Sequence, residues 1–151
     1  MTSSYQQTAS WLRACGKKPG NKDHLRVAVG VTIEEFVEFL RTISLVSNTG
    51  ITSNALVEVA FHLEACAEVL KTGAAQVEIH DRAECLDALC DLEVTINGIA
   101  YMAGMNKEEG DRRTIESNWS KFNEDGTPVI LEGGKIGKSD RFKPADYSDL
   151  V

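Results

Sequence analysis

The chain contains no run of about 18 apolar residues, so nothing in it reads as a membrane-spanning helix. Its beginning, MTSSYQQTASWL, lacks a basic segment followed by an apolar one, which speaks against a secretory leader. Positive charge is scarce: 16 Lys and Arg stand against 23 Asp and Glu, a net charge of −7. A nucleic-acid polymer is gripped through basic stripes, so no such partner is expected. Glycine and proline are not enriched, and there is no internal repeat. The four cysteines lack the C-x-x-C pairing of a zinc site. His24, His62 and His80 share no ligand spacing either. Cys66, Cys85 and Cys90 fall in apolar helical runs and read as buried thiols, and His62 reads as an interior histidine. A reducing, cytoplasmic compartment is the expectation.

What is present is helical period. The 42% hydrophobic content suits one domain with a sizeable core. Apolar residues recur at three and four over about 4–15, 23–47, 53–72 and 81–104, and 107–122 adds a more polar helix. Asp23 and Ser53 or Asn54 are the expected N-caps, and Gly73 is an expected C-cap. From Asn123 onward no period survives, so that part is either disordered or laid over the body. The expected fold is all-α: one domain over 1–151, a bundle of four to five helices with an irregular C-terminal arm from about 123.

Within this pattern, IEEFVEFL at 33–40 crowds Glu34, Glu35 and Glu38 into little more than one turn. Each like-charged pair at this spacing costs about 0.2–0.5 kcal/mol. At about 100° per residue from Glu34, Glu38 falls at about 40° and Glu35 at about 100°, with Phe36, Leu40, Ile33 and Val37 between about 200° and about 300°. On the helix over 81–104, Glu84, Asp87 and Asp91 share one edge in the same way. Two such edges suit a hard divalent cation, which takes carboxylate oxygens and leaves positions for substrate phosphates. A solvated helix face would carry the same residues. Trp11 and Trp119 could stack on a base or simply pack.

EEFVE at 34–38, DRAECLDALCD at 81–91, SNWSKF at 117–122 and GGKIGKSDRFKPADYSDL at 133–150, in that order, resemble the MazG-like all-α nucleoside triphosphate pyrophosphohydrolases. The likeness is to the short bacterial and phage branch related to phosphoribosyl-ATP pyrophosphohydrolase, and it runs from about Leu25 to the end. It implies hydrolysis of a (deoxy)nucleoside triphosphate to monophosphate and pyrophosphate with Mg²⁺ or Mn²⁺. A general likeness to phage nucleotide-pool enzymes narrows the substrate to a purine nucleotide such as (d)GTP. By motif, Glu35 and Glu38 would be metal ligands, and Glu34 a ligand or the group that orients water. Asp87, with Glu84 and Asp91 beside it, would complete the metal set. Asn118 and Lys121 would contact substrate, and Lys135 and Lys138 would close over phosphates. A homo-oligomer, dimer or tetramer, is also implied. The 45 residues between Glu38 and Glu84 exceed the family's usual spacer, so the resemblance leaves the metal motifs intact but does not define the base pocket or the oligomer interface. Phosphoribosyl-ATP hydrolysis, or a non-catalytic helical interaction module with solvated acids, are the alternatives.

Overall fold

The computed structural model describes residues 3–151. Five α-helices make up the regular structure: α1 (Ser4–Ala14), α2 (Lys22–Arg41), α3 (Ala55–Thr72), α4 (Arg82–Met102) and α5 (Lys107–Trp119). Two strands of two residues each, β1 (Leu45–Val46) and β2 (Thr52–Ser53), pair antiparallel between α2 and α3. One 3-10 turn, Glu132–Gly134, interrupts an otherwise irregular C-terminal segment. The fold is therefore all-α. No helix among the described residues is long and apolar enough to cross a membrane.

The contacts divide the chain into two compact units. One holds Lys18–Val77 together with Leu131–Lys135, and so contains α2, the hairpin, α3 and the 3-10 turn. Here α2 and α3 pack along Val37, Leu40 and Ala60, with Phe39, Leu56 and Leu63 against them. Gly30 makes the close approach possible. A Cβ there would stand 3.1 Å from the Leu70 Cβ and 3.2 Å from the Ala67 carbonyl oxygen. α2 starts at Asn21, whose side chain accepts from the His24 N–H, rather than at the expected Asp23. It also stops six residues early. Thr42 closes it, and Ile43 to Ser53 form the hairpin instead. The Ser47 N–H donates to the Ile51 carbonyl at 2.9 Å, and Gly50, at φ 81°, supplies the turn. α3 ends as expected on Gly73 in the left-handed region, φ 85°.

The other unit holds the chain up to Lys17, Glu78–Ile130 and Ile136–Val151, and so contains α1, α4 and α5. Ser3 and Gln6 cap α1 reciprocally. Asp81 caps α4 through the N–H groups of Ala83 and Glu84, and Asn106 caps α5 through that of Glu109. The C-terminal segment is laid along α5. Arg113 grips the Asp149 carboxylate at 2.5 and 2.8 Å, and the Ser117 hydroxyl donates to the Lys143 carbonyl. The Asn106 N–H donates to the carbonyl of the buried Leu150.

Two expectations about side chains are corrected. Cys66 and Cys90 are exposed and Cys85 is half-buried; only Cys15 is buried, which pushes its thiol pKa up. His62 is exposed too, edge-on to Phe61. Periodic apolar spacing placed these residues on helices but not on the packed faces of those helices.

Candidate functional site

α2 presents two faces in sequence. Its buried stripe runs Arg26, Val27, Gly30, Val37 and Leu40. Glu34 borders that stripe, and Glu35 and Glu38 lie further out, exposed. The Glu34 side chain is accordingly 27% exposed and is met by two lysines. Lys71, in the last turn of α3, donates to Oε1 at 2.9 Å. Lys135, 101 residues along the chain, donates to Oε2 at 2.5 Å. The Lys135 hydrogen bond is the main reason the Glu34 carboxyl is held below its ordinary range; burial opposes it, and the Lys71 hydrogen bond adds to it. The Lys71 ammonium is held above its ordinary range by the same bond.

The loop that delivers Lys135 is seated by glycine. At Gly133 φ is 80°, and a Cβ would lie 2.6 Å from the Lys71 carbonyl oxygen, far inside contact distance. Only a residue without a side chain can cross α3 so close to Lys71. The Leu131 N–H then donates to the Lys135 carbonyl at 2.8 Å, closing the loop.

Below this cluster sits Arg26, a residue that sequence reasoning missed. It is 6% exposed, and its guanidinium donates to the Leu70 and Lys71 carbonyls at the end of α3. Those carbonyls stand at the negative end of the helix, where Leu70 otherwise accepts only the capping Gly73 N–H at 3.3 Å, so the charge sits where it is favoured. Its Nε has no hydrogen-bond partner, with Asp23 3.7 Å away. A signal was there: Arg26 occupies the same helical stripe as Gly30, Val37 and Leu40.

The other predicted residues lie in the unit of α1, α4 and α5. Glu84, Asp87 and Asp91 are exposed along α4. At the end of α5, Lys121 donates to the Asn118 side-chain oxygen at 2.7 Å. Trp11 donates from Nε1 to the Asn118 carbonyl, and the Lys121 ammonium lies 5.5 Å from its ring centre. So Asn118 and Lys121 are brought together, and Trp11 is their packing partner. Trp119 stacks on Phe122. Lys138 lies over the Phe142 ring at 4.5 Å. Among the described residues, no three His, Cys, Asp or Glu side chains stand close enough together to hold a metal ion.

No protein-family model, no curated protein and no solved structure matches the chain.

Proposed function

We propose that this chain hydrolyses a nucleoside triphosphate to its monophosphate and pyrophosphate with the help of Mg²⁺ or Mn²⁺. The observation that supports this most is the meeting of Glu34 with Lys135. The two residues belong to separate motifs, 101 residues apart, and the ammonium of one lies on the carboxylate of the other. A solvated acidic face has no need of such a partner from a distant loop.

The reaction assigned to the site is a displacement. A water oxygen attacks the α-phosphorus, the bond from that phosphorus to the bridging oxygen breaks, and pyrophosphate leaves. Glu34 or Glu35 takes the proton of the water. Lys71 and Lys135, both within reach of Glu34, supply positive charge for the phosphate oxygens. The donor chemistry on α2 suits the metal: Mg²⁺ is held by one or two carboxylates plus substrate phosphates, so a complete protein cage is not required. Glu35 and Glu38 would hold it, and the ion would supply charge at the phosphate oxygens and acidify the attacking water. Glu84, Asp87 and Asp91 are the second proposed carboxylate set. Asn118, Lys121 and Lys138 are proposed substrate contacts. A purine (d)NTP such as (d)GTP is the first substrate to try, and phosphoribosyl-ATP the second.

The discriminating experiment is the double replacement Glu35→Gln with Glu38→Gln, read by Mn²⁺ binding and thermal melting. The proposal expects Mn²⁺ affinity to fall about 10- to 100-fold, with the helical signal unchanged. Unchanged Mn²⁺ affinity, with a slight gain in stability from relieved repulsion, would instead identify a non-catalytic helical module with solvated acids.

A further inference from the structure

α2 and α3 are bridged by ion pairs at two levels. Glu34 meets Lys71, and Arg41 meets Glu64, with Arg41 Nη2 donating to Glu64 Oε2 at 2.8 Å. Glu34 and Arg41 stand two turns apart on α2, as do Glu64 and Lys71 on α3. At about 100° per residue, each such step returns to within about 20° of the same line. Both bridges therefore lie on one side of the helix pair. At about 1.5 Å per residue they are about 10 Å apart along it.

Beside the second bridge the two helices enclose a cavity of about 150 Å³. Its floor is apolar: Leu40 and Ala60 are buried, and Leu56 is half-buried beside them. Phe61 forms a wall and is 68% exposed, so its ring is open to a ligand. Arg41 and Glu64 form the polar rim. Apolar cavities of this size take up a planar six-membered ring.

We infer that this cavity seats the guanine base of the nucleotide whose phosphates lie at Glu34, Lys71 and Lys135. The phosphate end rests on the reaction proposed above; the choice of base rests on the rim. Guanine carries neighbouring N–H donors at N1 and N2, which match the two oxygens of the Glu64 carboxylate. Its O6 and N7 accept from a guanidinium such as that of Arg41. Adenine has an acceptor at N1 and sets a lone pair against the carboxylate. Cytosine offers one donor group, N4, and leaves the second carboxylate oxygen unmet. Phe61 can stack on any base, so it adds affinity without discrimination. The spacing of the two bridges is comparable to the span from an α-phosphate to the far edge of its base.

The test is equilibrium dialysis of the full chain with Mg²⁺ and the α,β-methylene analogues of GTP, ATP and CTP, which resist cleavage, beside turnover of the natural nucleotides. The guanine analogue should bind at least about 10-fold tighter than the other two, the effect of hydrogen bonds to a charged group. Glu64→Gln should cut that preference below about 3-fold. The guanine analogue loses affinity, while the adenine analogue, met by the new amide N–H, does not. Phe61→Ala should weaken all three alike, about 5- to 10-fold. Should Glu64→Gln unfold, photolabelling of the parent chain with 8-azido-GTP decides. The label should fall in the tryptic peptide 42–71 and be displaced by GTP at least about 10-fold more readily than by ATP. Guanine preference that Glu64→Gln removes, in a chain that hydrolyses nothing, supports the base seat and refutes the reaction alone. Turnover or binding without guanine preference, a preference that survives in folded Glu64→Gln, or label outside 42–71 would each overturn the base seat and leave the reaction standing. Binding of none of the three overturns both.

Discussion

Glu34 shows how much one carboxylate can organise. Its pKa is lowered by folding, chiefly through the Lys135 hydrogen bond. The associated stability is therefore complete above the unfolded value of 4.5 and is lost as pH falls through the lower folded value. Lys71 runs the other way. Its raised pKa contributes below 10.5 and is lost as pH rises through the folded value. Replacement Glu34→Gln should cost about 0.5–1 kcal/mol at neutral pH. In urea melts from pH 7 to pH 3, the gap to the parent protein should begin to narrow below the ordinary value of 4.5 and go on closing as the folded carboxylate, held lower, protonates. At Arg26, the change Arg26→Met removes charged hydrogen bonds to the Leu70 and Lys71 carbonyls in the last turn of α3. It should cost about 1.5–3 kcal/mol in the same melts. Glu34 was legible in the sequence as part of a charge cluster. Its pairing with Lys71 and Lys135 was not, because ion pairs across 37 and 101 residues leave no periodic trace. Arg26 left a trace that apolar counting ignores: a charge standing in the register of a buried stripe.

Elements were legible where packing follows period. Four of the five helices were expected from apolar recurrence and α5 as a more polar helix, and Gly73 from its place after the last turn of α3. Periodicity failed where turn chemistry took over. Ile43, Leu45 and Val46 continue the spacing of α2, yet they are β-branched or apolar residues next to SNTG, and the chain turns back there as a hairpin. The C-terminal segment escaped for a related reason. It is held by single hydrogen bonds and ion pairs spread over α5, not by a repeating apolar face. Arg113→Ala should loosen it. Amide exchange over 143–150 is expected to quicken about 2- to 5-fold, the effect of losing an exposed ion pair. Gly133→Ala tests the loop that carries Lys135. The added methyl meets the Lys71 carbonyl at 2.6 Å in a backbone conformation that disfavours it, so the loop has to lift. A loss of at least about 1 kcal/mol is expected, with Lys71 and Lys135 both affected. If stability falls but nucleotide turnover does not, the loop is structural only.

At the scale of the molecule, the chain is shared between two compact units that are not consecutive in sequence. One takes residues 131–135 out of a segment that otherwise belongs to the other. No composition shift marks this, because the exchange is made by five residues around two glycines. The all-α class was legible from period alone, and the proposed activity rests on the order of four motifs. What the structure adds is physical: Lys135 on Glu34, Asn118 beside Lys121, and two exposed acidic edges. The most direct measurement is product analysis with purified full-length chain, Mg²⁺ or Mn²⁺, each (d)NTP and phosphoribosyl-ATP. Monophosphate and pyrophosphate should be released in equal amounts from at least one of them, a purine nucleotide first, and turnover should fall about 100-fold in a folded Glu38→Gln variant. A folded protein that turns over none of these nucleotides, or that releases orthophosphate and a diphosphate instead, would contradict the assignment.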